Sequence, residues 1–401
     1  MQEVRHFHEN GKDNAPQNNS EGKTIGHADS VLDAERWEIT KYSVFDARLL
    51  VPQAPRTYHS PVTYYGLIPY VFRRFSLLTA PRTGLETALH YLKRNPLPPS
   101  DKPALFTMNI MPPMMTVWHH LARKNLGNAA DIVIFDCSGK LKKEDFPGAR
   151  VQKFLNLYAA TKSDEFLRTI ATHRDIGWIC DDDMFLISPS AIDRVKQELG
   201  KPNTATLSFR PRSWWHFEID GKQYEPSASY CLAINRKIVV EKEHLSLRPG
   251  DGNTHVSLIG KPLTRFDTFD KANETLLKKG YRCAIVPADE RENSVIGYSG
   301  MSSAVMLLWY FTTPEQLRDY LLSPPDKAWQ GTTLFTILAG LLALSDILEM
   351  HEKIAGAPYV LRSMLSHEEL LRIRAMKERL LRTGNTFSKV DEVSEKLKRA
   401  L

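Results

Sequence analysis

Long apolar runs are nearly absent from this chain of 401 residues. The longest, Leu334 to Leu344, stops after 11 residues at Ser345 and Asp346. A bilayer-spanning helix needs about 20, so this stretch reads as a buried helix. The start lacks the apolar core of a secretory signal. Residues 1–33 are polar, rich in Asn, Gly, His and Glu, and read as a disordered tail. Cysteine is scarce too. Cys137, Cys180, Cys231 and Cys283 lie far apart, no pair has metal-ligand spacing, and the last three sit inside apolar runs. They read as small buried hydrophobes in a reducing compartment, with a disulfide between two of them left open. Excess charge of one sign is also small, at +6. That is too little for a nucleic-acid binder, which needs a clustered basic face. It suits an anionic substrate, or weak contact with a membrane surface. These absences point to a cytoplasmic protein, with contact at the inner face of the membrane as the one open extension.

What is present is a globular composition, 42% hydrophobic and 25% charged, which argues against disorder as the general state. No internal repeat is evident. Residues 34–100 form an N-terminal extension in which aromatics, prolines and basic residues mix. Its most unusual part, Tyr64-Tyr65-Gly66-Leu67-Ile68-Pro69-Tyr70-Val71-Phe72-Arg73-Arg74, sets apolar bulk beside charge. Packing against the main domain is the expectation, and a peripheral membrane or partner contact is the alternative. Asn95-Pro96-Leu97-Pro98-Pro99-Ser100 then breaks regular structure.

A β/α alternation fills 101–300. Ala104 to Met108 predicts a strand, Met114 to Asn125 a helix, and Asp131 to Phe135 a buried strand ending in the turn Asp136-Cys137-Ser138-Gly139. Arg150 to Leu155 is a third strand candidate. Ser163 to His173 carries a Ser-x-Glu cap pattern and helical spacing of Phe166, Leu167 and Ile170. Ile176 to Cys180 is another buried strand and runs straight into Asp181-Asp182-Asp183. Residues 301–401 turn mostly helical, with starts at Thr313-Pro314-Glu315-Gln316, Thr332 and Ser366. The last stretch, Ser388 to Leu401, mixes acids and bases and predicts a solvated helix. The fold class is therefore α/β, a parallel sheet covered on both faces, followed by a helical C-terminal region. Ligands on such sheets bind at the carboxyl ends of strands. Asp136 and the aspartate triplet both stand there.

Three acids after a buried strand repel one another and lose solvation, which a fold avoids unless a cation neutralises them. Mg²⁺ or Mn²⁺ takes oxygen ligands, commonly one or two carboxylates with phosphate oxygens and water. In extended or turn backbone Asp181 and Asp183 project to the same side and can share a metal. The stretch Trp178-Ile179-Cys180-Asp181-Asp182-Asp183-Met184-Phe185 resembles the DxD region of GT-A-fold (Rossmann-like) glycosyltransferases, family 2 in particular. That resemblance implies a divalent cation held against the diphosphate of a nucleotide sugar, with Asp181 and Asp182 on the donor. Asp131 to Gly139 is similar to the family's second strand, which implies a base or ribose contact for Asp136. Thr107 and Asn109 match the region of the same contacts on the first strand.

A third likeness runs from Asp267 to Pro287, similar to the family's acidic motif, helix, Gly-Tyr turn and strand. In inverting members the acid at the start of that helix deprotonates the acceptor. The usual Glu-Asp doublet is absent, and acids three apart replace it, so Asp267 or Asp270 would hold the role. Ser227 to Arg236 resembles the strand lining the acceptor side. Ahead of it Arg210-Pro211-Arg212-Ser213-Trp214-Trp215 offers cations for phosphate beside rings that suit a sugar or a core. His255 is a weaker metal-ligand candidate. The expected activity is metal-dependent transfer of a sugar from a nucleoside diphosphate donor, UDP favoured, to an unidentified acceptor hydroxyl, with inversion as what the resemblance implies. A nucleotidyltransferase is the enzymatic rival, but Met111-Pro112-Pro113-Met114 is no Gly-rich phosphate loop. A catalytically silent binding scaffold is the other.

Overall fold

Seven short segments pair into one sheet. In this computed structural model the described residues are 81–258, 263–298, 301–330, 332–381 and 386–401. The polar tail and the Tyr64–Arg74 run lie outside them. The strands are β1 (Ala104–Asn109), β2 (Asp131–Asp136), β3 (Ala149–Lys153), β4 (Ile176–Cys180), β5 (Thr204–Ser208), β6 (Cys231–Asn235) and β7 (Arg282–Ile285). Their spatial order is β3-β2-β1-β4-β6-β5-β7. All neighbours run parallel except β6, which is antiparallel to both β4 and β5.

Alternation along each strand builds two cores. On β2, Ile132 and Ile134 enter one apolar cluster while Val133 and Phe135 enter the other. The first face is covered by α2 (Pro112–Leu126) and α4 (Ser190–Leu199). The second is covered by α3 (Ala159–Glu165) and α5 (Asp270–Lys278), with α1 (Pro81–Lys93) against β3. Stacked rings tie the second face down, Phe106 on Phe166 at 4.6 Å and Phe135 on Phe154 at 4.2 Å. Each such pair adds about 0.5–1.5 kcal/mol beyond its buried area.

The helices after residue 300 share the first core. They are α6 (Met301–Tyr310), α7 (Pro314–Leu322), α8 (Thr332–Ala355), α9 (His367–Glu378) and α10 (Thr386–Ala400). Thr313 with Gln316 and Ser366 with Glu369 form capping boxes that fix the starts of α7 and α9. By length and composition α8 could cross a bilayer over Leu334–Ala355, yet 72% of its apolar window is buried inside the fold. It packs against α2, α6, α9 and α10, as a core helix does.

Two local expectations need correction. Helix α3 starts at Ala159, so Ser163 lies buried inside it and caps nothing; a π-turn, Phe166–Ile170, then completes it. The cap signal lost to packing, because starting a turn earlier buries Ala160 and Phe166 together. The last helix is not solvated either. Phe387, Val390, Val393 and Leu397 form a buried stripe at helical spacing.

Strands β2 and β3 are added on one side of β1, and β4 on the other. The order therefore reverses between β1 and β4, and at such a reversal a crevice opens outside the carboxyl ends.

Candidate functional site

The aspartate triplet stands at that reversal. Asp181 N–H donates to the Tyr230 carbonyl at 2.8 Å, and Met184 N–H closes the turn on the Asp181 carbonyl at 3.0 Å. The chain then forms a short strand, Met184–Leu186, antiparallel to Val295–Gly297. Tyr298 N–H donates to the Asp183 carbonyl at 3.1 Å. Gly297 makes this approach possible. A Cβ there would stand 2.3 Å from Met184 Sδ and 2.8 Å from the Asp183 carbonyl oxygen. The triplet is thus a turn held by main chain on both sides, and its side chains are left half-buried.

Among the described residues none of the three carboxylates forms an ion pair. Burial, then repulsion from Asp183 and Asp182, pushes the Asp181 carboxyl well above its usual range. Burial and Asp183 push Asp182 up to about 7, and burial pushes Asp183 to about 7. Such a site gains by binding a cation. Among the described residues no three His, Cys, Asp or Glu side chains converge as a ready metal cage. The donor set fits a hard divalent ion that takes two carboxylates and draws its other oxygens from phosphate and water.

The neighbours differ from expectation. Asn109, at the end of β1, donates to Asp182 Oδ2 at 3.3 Å and to the Met111 carbonyl at 2.8 Å, so it braces the triplet. Its Oδ1 is buried with no hydrogen-bond partner, as is Thr107 Oγ1. Thr107 lies wholly inside the sheet, two residues short of the strand end. Asp136 is fully buried as well. Its Oδ1 accepts from Ser138 N–H, Ser138 Oγ and Gly139 N–H, and its Oδ2 from Leu141 N–H, at 2.6–3.1 Å. Instead of presenting an oxygen to a base or ribose, Asp136 shapes the turn after β2.

Sequence reasoning missed Lys162. Its ammonium is buried in α3 and donates to Asn156 Oδ1 at 2.9 Å and Cys137 Sγ at 3.5 Å. Its field favours the charged forms of Asp181 and Asp182. With a helix begun at Ser163 its inward direction was not legible; the corrected start at Ala159 turns it toward the strand ends.

The second acidic element is built differently. Arg212 is wholly buried, with Nε on Asp270 Oδ1 at 2.9 Å, Nη1 on Asp267 Oδ2 at 2.8 Å and Nη2 on the Thr268 carbonyl at 3.2 Å. Burial alone would lower its pKa; Asp270 and Asp267 outweigh that and hold the guanidinium above its ordinary value. Its face lies 5.1 Å from the Trp214 ring and 5.7 Å from Tyr230. Arg212 therefore clamps two carboxylates and has no free face for a phosphate. Asp270 is buried, and its second oxygen accepts from Asp267 N–H at 3.0 Å. Burial pushes its carboxyl up to about 7, against the opposing pull of Arg212, and Asp267 Oδ1 in turn accepts from Thr268 N–H at 2.6 Å. The Asp267 side chain keeps 29% of its surface open. Phe269, between them, is buried in the left-handed region at φ 73°, a strain that costs about 1–3 kcal/mol and marks an over-determined turn.

Arg210 pairs with Glu292 at 2.6 Å, so it too meets a carboxylate before any phosphate. Trp215 is core, against Phe217, His255 and Phe266, whereas Trp214 stays half-buried. His255 accepts from Glu218 N–H at Nδ1 (3.0 Å) and meets Glu274 through Nε2 (2.9 Å), leaving neither nitrogen for a metal. The two acidic elements adjoin through Tyr230, whose ring faces Arg212 and whose carbonyl holds Asp181. On the far side, Tyr298 OH meets Ser394 Oγ at 2.8 Å and Ser394 donates to Asp346 at 2.7 Å, a buried polar chain tying α10 and α8 to the triplet's turn.

No protein family matches the chain, and no curated protein matches it. Among solved structures it is similar to a mannosyltransferase from Pyrobaculum calidifontis, determined in complex with GDP-Man and Mn²⁺. The two share 13% identity over 83% of this chain and 96% of that one, with a TM-score of 0.34.

Proposed function

We propose that this protein is a divalent-cation-dependent glycosyltransferase whose donor is a nucleoside diphosphate sugar. The observation that carries the reading is the uncompensated Asp181-Asp182-Asp183 turn at the reversal between β1 and β4. Asp181 and Asp183 would hold Mn²⁺ or Mg²⁺, which when bound supplies the positive charge a departing diphosphate needs. Asn109 keeps Asp182 in place, and Lys162 adds a fixed cation at the same edge of the sheet. Asp267 accepts the acceptor hydroxyl's proton in a single inverting displacement, oriented by Arg212. UDP is the nucleotide favoured by the family resemblance. The geometry of Asp136 removes one support for that preference, so GDP donors belong in the same test. Four free cysteines fit a cytoplasmic setting.

The test is a panel of UDP- and GDP-sugars with Mn²⁺, scored for nucleoside diphosphate release, beside calorimetry of nucleotide–Mn²⁺ binding. Release that is lost in Asp183→Ala supports the reading. Equal nucleotide–Mn²⁺ affinity in wild type and Asp183→Ala would sink the metal site, and tight binding without turnover of any donor would favour a silent scaffold.

A further inference from the structure

The C-terminal helix reaches the aspartate turn from behind. Helix α10 is seated on α8 by the buried stripe of Phe387, Val390, Val393 and Leu397. Its Ser394 is buried too and meets two partners. Ser394 Oγ donates to Asp346 Oδ2 on α8 at 2.7 Å and stands 2.8 Å from the Tyr298 hydroxyl. A serine hydroxyl has one proton to give. With that proton on the Asp346 carboxylate, Tyr298 is the donor to Ser394. Lys398 Nζ holds the other Asp346 oxygen at 3.0 Å, which keeps the carboxylate an acceptor. The chain thus runs one way, from Tyr298 through Ser394 to an ion pair, and removing any member strands a buried polar group.

At its other end Tyr298 grips the turn twice. Its N–H donates to the Asp183 carbonyl at 3.1 Å, and its ring stands edge-on to Phe185 at 6.0 Å. Phe185 belongs to the short strand that follows the triplet directly. Among the described residues the Val295–Gly297 strand pairs with Met184–Leu186 alone. A two-stranded pair is marginal by itself, so whatever holds its outer strand decides where the Asp183 backbone lies. Helix α10 holds it at both ends, through Ser394 on Tyr298 and through Lys396, which reaches the Glu292 carbonyl at 3.5 Å. Ligands of a metal must be held to within about 0.5 Å, and Tyr298 fixes the main chain of one of them. We propose, on the cation reading of the triplet, that Tyr298 anchored by Ser394 and Asp346 is a positioning residue for the metal, so that the helical C-terminal region sets the affinity of the Asp181–Asp183 site.

The test is calorimetry of Mn²⁺ with UDP and with GDP on the full chain, beside hydrogen exchange of the metal-free protein. Tyr298→Phe keeps the ring and removes only the tether. It should weaken Mn²⁺ binding by about fivefold and speed exchange of the amides at positions 184 and 298. Ser394→Ala should do the same, and the double variant should be no worse than either single one, because both break one chain. Ser394→Thr keeps the hydroxyl and should bind Mn²⁺ as wild type does. Val393→Ala thins the packing of the same helix, so it should lower the melting temperature and leave Mn²⁺ affinity within about twofold. Unchanged Mn²⁺ affinity in Tyr298→Phe overturns the proposal. An equal loss in Val393→Ala overturns it as well, since the effect would then be one of general stability. Faster exchange without weaker binding has the same force, because the turn would move at no cost to the cation. Wild-type protein that takes no Mn²⁺ with either nucleotide overturns the cation reading and this proposal with it, a failure visible without any variant.

Discussion

The chain has two acidic elements, Asp181 to Asp183 and Asp267 with Asp270, and they solve opposite problems. Both adjoin Tyr230. The first has no ion-pair partner among the described residues and is braced by Asn109, the Ile110 backbone and the field of Lys162. The second shares one guanidinium, Arg212, between its two carboxylates, which halves its charge, while burial still pushes Asp270 up to about 7. Acidity alone therefore does not mark a cation site. What matters is whether the fold has already supplied the positive charge.

The largest effect should come from breaking the clamp. Arg212→Leu strands Asp270 as a buried carboxylate, so urea unfolding should show a loss of about 3–5 kcal/mol. Adding Asp270→Leu should recover much of it. A loss below about 1 kcal/mol would mean that the clamp is weak. Removing a triplet acid should do the opposite, sparing stability and costing turnover. Asp183→Asn should lower donor turnover by about 10³-fold, equivalent to about 4 kcal/mol, with unfolding unchanged or slightly improved. Between these lies the frame. Gly297→Ala drives a methyl into Met184 and the Asp183 carbonyl, an overpacking that should cost about 1–3 kcal/mol and weaken Mn²⁺ binding in the same variant. Stability loss with unchanged Mn²⁺ affinity would uncouple the frame from the triplet.

The smallest effect is electrostatic. Asp182 and Asp183 have folded values near 7, above the ordinary 3.8. The folded state then binds more protons between those values, so their contribution to stability falls as pH rises from about 4 to about 7 and stays low above it. Asp182→Asn/Asp183→Asn should match wild type near pH 4 and exceed it by about 1 kcal/mol near pH 8, given screening of half-exposed groups. Mn²⁺ should close that gap in wild type. A difference that does not grow with pH breaks the contrast with the clamped pair.

Much of this was legible beforehand because the signals are local. Ile132 to Phe135 and Trp178 to Cys180 are buried runs of strand length, and acids directly after them stand at strand ends whatever the rest does. Thr313 and Ser366 announce helix starts through their own capping bonds. The failures are of another kind. Asp136 reads as a ligand until its oxygens are seen to accept four donors from the following turn. Arg212 reads as a phosphate cation until Asp267 and Asp270, more than fifty residues away, are seen around it. Lys162 gives no signal, because its direction depends on where α3 begins. The mixed charges of α10 hide a stripe that acquires meaning only against α8.

By itself the sequence determined the β/α alternation, the core helix at Leu334 and the place of three aspartates after β4, since each follows from side-chain periodicity and backbone chemistry within a few residues. Only the tertiary structure decided which charges would be cancelled. Ion pairing, desolvation and the buried polar chain behind the triplet all depend on partners brought together across the chain, and short-range patterns carry no record of them.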